Sequence, residues 1–288
     1  MGDLMRVFAG AVLPIAMILA VGRGAQAQEG AAPSPAAPLT LGDVPHTDGT
    51  VEIDGALDEP LWREALVIKP DIETNPRENG PAPVETFVYL IENGSHLLIA
   101  FDARDPEPEA IRAYLRDRDS AYNDDFVGVV LDTFNDQRRA FEFFTNPLGV
   151  QMDLTYDDVN GNEDDSWDAI WESAGVIGEL GFIVEIAIPF SQLRFQSAEG
   201  LQTWGLDALR FYPRADRVRI SANRMDRGRN CYLCQLGKIQ GFAAAEPGRG
   251  LEVVPAVTAS RTDERDATAN DLVAGNPDGE LGVNVRWG

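Results

Sequence analysis

The stretch that decides the fold is residues 84–103, VETFVYLIENGSHLLIAFDA. Two runs rich in β-branched and aromatic residues, 84–91 and 97–103, flank Asn93-Gly94, and Asn-Gly is the strongest short signal for a β-hairpin. A second pair of such runs, residues 126–134 and 140–145, flanks a polar turn. The sequence therefore predicts antiparallel strands joined by tight turns.

The central region continues this pattern. Residues 150–157 alternate between apolar and polar, so that Gln151 and Asp153 share one face of a predicted strand. Such a series of short strands predicts an all-β fold, an antiparallel β-sandwich of immunoglobulin or jelly-roll type with short helices. Further strands are predicted at residues 167–174, 182–188 and 204–212, and the helices at 59–65 and 107–118.

The composition excludes several classes of function. The chain has 288 residues with 47 acidic and 24 basic side chains, a formal net charge of −23 at pH 7. A field of this sign repels phosphate backbones, so we expect no nucleic-acid partner. Two histidines and two cysteines leave little material for a histidine-based catalytic triad or a zinc cluster.

The N-terminus carries the features of an export signal. An apolar run at residues 7–21 follows Arg6 and precedes Ala25-Gln26-Ala27, which predicts a signal peptide over residues 1–27. Residues 28–44 begin with a Pro/Ala-rich stretch and are predicted as a linker. We therefore expect an exported protein in the periplasm, the outer membrane or the cell surface of a Gram-negative bacterium.

The β-sandwich is expected to span residues 45–242, and a second β-rich region to begin at residue 243. Strands predicted at 251–259 and 281–287 flank a polar stretch, a pattern that could open an outer-membrane barrel. The chain stops directly after the second of these strands, so we expect residues 243–288 to be a truncated region. The missing C-terminal part would then be the region that associates with the outer membrane.

Several motifs follow one another in a specific order. Residues 53–62 fit the pattern I-D-G-x-L-D-E-x-x-W, and further matching segments stand at 101–106, 125–134, 146–151, 166–171, 185–190 and 204–210. The first motif resembles the opening of family 9 carbohydrate-binding modules. The ordered series is similar to a bacterial group of exported proteins in which such a sandwich precedes a large C-terminal region.

This resemblance implies a β-sandwich, binding of a poly- or oligosaccharide and an association with carbohydrate catabolism. It does not imply that the domain is itself catalytic. Family 9 modules can carry structural calcium, which is the one cofactor that the resemblance suggests.

Two tryptophans are the aromatic candidates for a sugar site, because such sites combine an exposed aromatic face with polar groups for the hydroxyls. Trp167 and Trp171 are four residues apart in a predicted strand, hence on one face and roughly 13 Å apart. Trp171 is the favoured platform because the polar residues Glu172 and Ser173 follow it. Burial of both tryptophans in the sandwich core is the alternative.

The polar candidates for the sugar site are Gln151, Asp153, Arg138 and Arg210. Gln151 and Asp153 either line a cleft or form a solvated strand face. Glu185 interrupts an apolar strand, and it is either an acceptor for a sugar hydroxyl or a structural partner of Arg210, since a buried charge needs pairing.

One loop and one cysteine pair are candidates for a metal and a disulfide. Asp158, Asn160 and Asn162 alternate as at the start of a calcium loop, although the glycine and the distal glutamate of an EF-hand are not in place. The segment is therefore either a structural calcium site or a solvent-exposed loop without a metal. Cys231 and Cys234 form a C-x-x-C pair, for which a local disulfide is the leading interpretation in an exported protein and reduced thiols the second.

Three functional hypotheses remain. The first is a non-catalytic carbohydrate-binding module, and the second is a structural or gating domain of an outer-membrane protein. The third is a glycoside hydrolase, which would need two positioned carboxylates. With 47 acidic residues the spacing along the sequence does not single out such a pair.

Overall fold

The computed structural model describes residues 39–196, 200–247, 251–265 and 272–287. The predicted signal peptide over residues 1–27 lies outside these residues, as does the predicted linker up to residue 38. The end of that linker is different from the prediction, because residues 40–43 form the first strand. This strand is held by backbone hydrogen bonds from Lys238 N to Leu39 O and from Val44 N to Gln240 O, at 2.7 Å each.

Strands dominate the described residues, and helix is limited there to four short 3-10 turns, at Pro60–Arg63, Pro108–Ala110, Phe190–Gln192 and Leu233–Gln235. In chain order the strands are β1 Thr40–Asp43, β2 Leu66–Ile68, β3 Ile72–Asn75, β4 Gly80–Pro81, β5 Thr86–Glu92, β6 His96–Arg104, β7 Phe126–Asp132, β8 Arg139–Thr145, β9 Gln151–Asp157, β10 Asn162–Asp164, β11 Glu172–Gly178, β12 Gly181–Pro189, β13 Gln202–Pro213, β14 Arg217–Ser221, β15 Gly237–Gly241, β16 Leu251–Ser260, β17 Glu264–Arg265, β18 Leu272–Val273 and β19 Asp278–Trp287.

Two sheets form the sandwich. The larger sheet has ten strands in the order β10-β9-β8-β7-β13-β14-β3-β4, and β15 joins β13 to β1. The smaller sheet has five strands in the order β11-β12-β6-β5-β2. Apart from the parallel pair β1 and β15, these ladders are antiparallel, and the two predicted hairpins are present as β5–β6 and β7–β8. The predicted all-β antiparallel sandwich is therefore confirmed.

The larger sheet is covered on both of its faces. All seven residues of β7 are buried. Val129 and its alternate neighbours pack against the smaller sheet in the main core. Phe126 and Val130 point to the opposite face, where they join a second apolar cluster with Leu233 and Leu236. Because side chains alternate along a strand, the same strands serve two apolar layers.

The predicted helix over residues 107–118 is wrong beyond its first turn, Pro108–Ala110. Side-chain acceptors take the backbone donors that a helix would need. Arg112 N donates to Asp125 Oδ2 at 2.8 Å, and Tyr114 N donates to Asp124 Oδ2 at 3.0 Å. The segment after residue 110 is consequently extended along the sheet.

The motif at residues 53–62 is bound to the smaller sheet by Glu185 of β12. Glu185 Oε2 accepts hydrogen bonds from Asp54 N at 3.1 Å and Gly55 N at 2.9 Å, and Oε1 accepts one from Trp62 Nε1 at 3.0 Å. Trp62 is buried against Ile91 and its neighbours on the outer face of this sheet. The motif thus fixes the path of the chain into the sandwich.

The C-terminal residues form a separate hairpin. β16 and β19 pair over their whole length, with Val253 opposite Val285 and Val257 opposite Leu281 on one face. Val257 is 75% exposed and Leu281 is 85% exposed. No helix among the described residues is long and apolar enough to cross a membrane. The outer-membrane association expected of this region stays a prediction.

We expect Glu185→Ala to lower the free energy of unfolding by roughly 3 kcal/mol, because three donors would lose their acceptor in a buried site. Urea denaturation followed by tryptophan fluorescence measures this loss. Glu172→Ala, on the exposed face of neighbouring β11, is the matched control and should change stability by less than about 0.5 kcal/mol. Equal effects of the two substitutions would contradict this account of the motif.

Candidate functional site

A cleft of about 900 Å³ opens on the face of the larger sheet that points away from the smaller sheet. We call it the outer cleft and define it by Tyr122, Glu142, Tyr156, Phe211, Arg219 and Tyr232, which all line it. Strands β8, β9, β13 and β14 supply four of these residues, and the loops before β7 and before β15 supply the others. The site is therefore built on a rigid sheet with loops at its margin.

Aromatic rings make the floor of the outer cleft. Phe211 stacks on Phe126 with ring centroids 4.3 Å apart and an interplanar angle of 20°. Phe144 meets both rings edge-on, at 5.5 and 6.2 Å. Tyr156 and Tyr232 form a further edge-to-face pair at 5.7 Å. These rings give the cleft an apolar floor with phenol groups around it.

A buried carboxylate holds one wall of the cleft. Asp207 Oδ1 accepts hydrogen bonds from Ser221 Oγ at 2.7 Å and Asn223 Nδ2 at 2.9 Å, and Oδ2 accepts one from Tyr232 OH at 2.9 Å. Arg219 Nη2 donates in turn to Tyr232 OH at 2.7 Å. Burial raises the pKa of Asp207, and the positive charge of Arg219 opposes this shift. The network fixes the Tyr232 phenol and the Arg219 guanidinium.

Glu142 lines the cleft from β8, and it is 5% exposed. Burial raises its pKa to about 8, and the negative charge of Glu163 adds to this effect, whereas Arg219 opposes it. Glu142 is therefore mostly protonated at pH 7, so its carboxyl group can donate a hydrogen bond as well as accept one.

The loop that carries Tyr232 is constrained on both sides. Cys231 and Cys234 are joined by a disulfide, with their Cα atoms 5.7 Å apart. Asp158 Oδ1 accepts hydrogen bonds from Tyr232 N at 2.9 Å and Leu233 N at 3.5 Å. The cysteine pair therefore belongs to the wall of the outer cleft.

The prediction of Trp171 as an exposed sugar platform is wrong, whereas the predicted role of Trp167 stays a prediction. Trp171 is 5% exposed and belongs to the main core, with its ring 5.4 Å from that of Phe143. Trp167 is partly buried, and its ring lies 5.0 Å from that of Phe141. Neither lines the outer cleft. Burial in the core, the alternative interpretation, is what the structure shows for Trp171.

The two tryptophans also do not lie in one strand, since β11 begins at Glu172. Side chains satisfy the backbone of the preceding segment. Asp153 Oδ2 accepts a hydrogen bond from Ala169 N at 2.6 Å, and Gln151 Nε2 donates to Trp171 O at 2.8 Å. These side-chain hydrogen bonds take the place of the backbone hydrogen bonds that a neighbouring strand would make.

Gln151 and Asp153 share a strand face, as predicted, but that face does not line the outer cleft. Arg118 Nη1 donates to Gln151 Oε1 at 2.7 Å, and its Nη2 donates to Asp153 Oδ1. Burial raises the pKa of Asp153, and the Arg118 charge opposes that shift. Both residues have a structural role in holding the segment that contains Trp171.

Arg210 and Arg138 are also placed outside the outer cleft. Arg210 is buried, where its Nη1 donates to Arg104 O at 2.7 Å and its Nη2 to Asp105 Oδ2 at 3.3 Å. Burial lowers its pKa to about 10. Its partner is Asp105 rather than Glu185, which corrects the predicted pair. Arg138 is exposed in the turn between β7 and β8.

The predicted calcium residues make contacts of another kind. Asp158 is engaged by the backbone of the Tyr232 loop. Asn160 Nδ2 donates to Asp157 Oδ2 at 2.9 Å, and Asn162 is exposed on β10. Asp158 and Asn160 thus have protein partners, and the predicted calcium site at Asp158, Asn160 and Asn162 is not tested by these contacts.

A different group of carboxylates does converge, at Asp119, Asp153 and Asp168. Arg118 reaches all three, with its Nε 3.3 Å from Asp168 Oδ1 and 3.7 Å from Asp119 Oδ2. A guanidinium thus supplies the positive charge there. Calcium binding stays a prediction.

The residues of the outer cleft were not found from the sequence, although two signals existed. Glu142 stands within the apolar run 140–145, AFEFFT, as a charged residue between phenylalanines. Tyr232 lies inside the C-x-x-C pair. The apolar side of β9, which includes Leu154 and Tyr156, also belongs to the cleft rather than to the main core.

The raised pKa of Glu142 predicts a specific pH dependence of stability. The folded protein binds this proton more tightly than the unfolded chain, so the stabilisation is complete below about pH 4 and is lost as the pH rises through about 8. Glu142→Gln should remove this loss and make the protein more stable than the wild type at pH 8, by roughly 4 kcal/mol at most.

Thermal unfolding of both proteins at pH 5 and pH 8 measures the difference. Glu179→Gln, in an exposed turn, is the control and should follow the wild type. A wild-type melting temperature that falls no more steeply with pH than that of Glu142→Gln would show that Glu142 titrates normally.

Comparison with known proteins gives the fold of the chain. No protein-family profile and no curated protein matches it. Among solved structures, a candidate carbohydrate-binding protein from Bacteroides uniformis matches with a TM-score of 0.56 and 15% identity, over 71% of this chain and 99% of that chain. A family 9 carbohydrate-binding module from Caldicellulosiruptor kristjanssonii, solved with cellotriose, gives a TM-score of 0.48 and 15% identity, over 72% of this chain and 94% of that chain. The sandwich therefore shares the fold of the Bacteroides uniformis protein.

Proposed function

We propose that the protein binds an oligo- or polysaccharide in the outer cleft and that this binding is non-catalytic. The observation that carries the proposal is the combination, in one cleft on a rigid sheet, of an aromatic floor with groups that can pair with hydroxyls. Sugars present apolar C–H faces and a rim of hydroxyl groups, so they need both kinds of surface.

The polar groups of the cleft suit a ligand rich in hydroxyls. The buried hydroxyl of Tyr122 has no hydrogen-bond partner among the described residues. Protonated Glu142 can both donate and accept. Arg219 presents donors beside the Tyr232 ring, with its guanidinium 4.9 Å from the ring centroid. A sugar hydroxyl, itself donor and acceptor, complements each of these groups.

The fold supports the same proposal. The Bacteroides uniformis protein with this architecture is described as carbohydrate-binding. The resemblance of residues 53–62 to the opening of family 9 modules points in the same direction. Export and an association with carbohydrate catabolism are further parts of the proposal and rest on the sequence alone.

We expect Tyr156→Ala to weaken retention in an affinity gel that contains the bound polysaccharide by about tenfold, since one aromatic contact contributes on the order of 1–1.5 kcal/mol beyond its buried area. Tyr114→Ala, which removes an exposed tyrosine outside the cleft, is the matched control and should leave retention unchanged. Identical retention of Tyr156→Ala and wild type, across a panel of glycans, would place the sugar elsewhere.

A glycoside hydrolase is the second candidate, because one observation favours it. The outer cleft contains Glu142, which is mostly protonated at pH 7, together with Glu163, whose charge raises the pKa of Glu142. A protonated carboxyl group and an ionised one in a single cleft are the general requirement of glycoside hydrolysis.

Release of reducing ends from the bound glycan distinguishes the two candidates. Under the binding proposal, we expect no release by the wild type above a no-enzyme control. Release that is abolished in Glu142→Gln, while Glu179→Gln retains it, would establish the hydrolase instead.

A further inference from the structure

The outer cleft has an uneven distribution of charge. In the larger sheet, β14 lies on one side of β13 and β7, whereas β8, β9 and β10 follow on the other side. Arg217 and Arg219 stand two residues apart on β14 and both line the cleft, so they share one face of that strand. Glu163 lines the cleft from β10, at the opposite end of the strand order. One end of the cleft is therefore cationic.

Arg217 keeps its donors free. Its side chain is exposed at the start of β14. Among the described residues its guanidinium contacts two aromatic rings, with centroid distances of 4.9 Å to Phe211 and 5.5 Å to Phe126, and it has no carboxylate within 4 Å. A guanidinium has five donors in a planar fork. Arg217 thus lies over the rings of Phe211 and Phe126, with its fork available to a ligand.

Arg219 is held in place but is not fully paired. Its Nη2 donates to Tyr232 OH at 2.7 Å and lies 3.6 Å from Asp207 Oδ2. Its Nε is buried and has no hydrogen-bond partner among the described residues. Arg219 therefore adds positive charge beside Arg217, and Asp207 offsets part of that charge.

We propose that the Arg217/Arg219 end of the outer cleft binds the carboxylate of an acidic sugar, so that the ligand is a glycan that contains uronic acid. This inference rests on the proposed function and names its ligand class. A planar carboxylate matches the guanidinium fork of Arg217 with two parallel hydrogen bonds. A neutral sugar of the same shape would leave the Arg217 guanidinium without an anion, whereas Arg219 keeps Asp207.

The net charge of −23 does not oppose this placement. Charges separated by more than a Debye length, roughly 8 Å at physiological salt, are largely screened, so acidic residues far from the cleft contribute little to the potential at the bound carboxylate. The same reasoning predicts that added salt weakens the binding of the acidic ligand more than the binding of a neutral one.

The test compares oligosaccharides of galacturonate, glucuronate and mannuronate, each as the free acid and as its methyl ester, by isothermal titration calorimetry with the full chain. Neutral and sulfated oligosaccharides complete the panel. We expect at least one free acid to bind about tenfold more tightly than its ester, the size of one charge-assisted hydrogen bond. Arg217→Ala should abolish this preference, so that the free acid and its ester bind this variant with affinities within about twofold of each other.

Arg138→Ala is the matched control, since Arg138 is an exposed arginine outside the cleft, and it should retain the preference. If esters or other neutral glycans bind as tightly as every free acid, or if only sulfated glycans bind, the inference is overturned while the proposed function stands. If no glycan of the panel binds, the proposed function itself fails. Melting temperatures of the variants show that any loss of preference is not a loss of fold.

Discussion

The buried carboxylate of Asp207 is the interaction on which the outer cleft depends. It lies on the central strand of the larger sheet, and it accepts hydrogen bonds from β14, from the loop that follows it and from Tyr232. A buried charge is stable only when its oxygens are paired and a cation is near, and Arg219 supplies that cation. A single carboxylate therefore contacts both the Tyr232 phenol of the loop wall and the Arg219 guanidinium.

This arrangement explains why the cleft and the stability of the domain are coupled. The floor residues belong to an apolar cluster that covers one face of the larger sheet, and the other face covers the main core. Glu142 lies among these floor residues, where burial raises its pKa. Its ionisation therefore lowers the stability of the fold as the pH rises. In contrast, Glu185 and Arg210 have protein partners for their charges and serve the framework alone.

The fold was predictable because it depends on local patterns. Asn93-Gly94 and the alternation of strands β5 to β9 are visible in the sequence, and they led to the sandwich. The site was not predictable, because alternation assigns residues to a face without showing what covers that face. The apolar side of β9 faces the cleft, and its polar side is used by Arg118. The failure at residues 167–171 has the same origin, since distant side chains satisfy that backbone.

The division of the outer cleft into a packed floor and an exposed margin has an evolutionary consequence. A change at Phe126 or Leu209 alters the packing of the sheet, so most substitutions there would be removed by selection for stability. Arg217 and Arg229 project from the margin, where substitutions cost little folding free energy. Under the proposed function, descendants of one ancestral domain can therefore exchange one glycan for another through a few residues at the margin, while the floor stays the same.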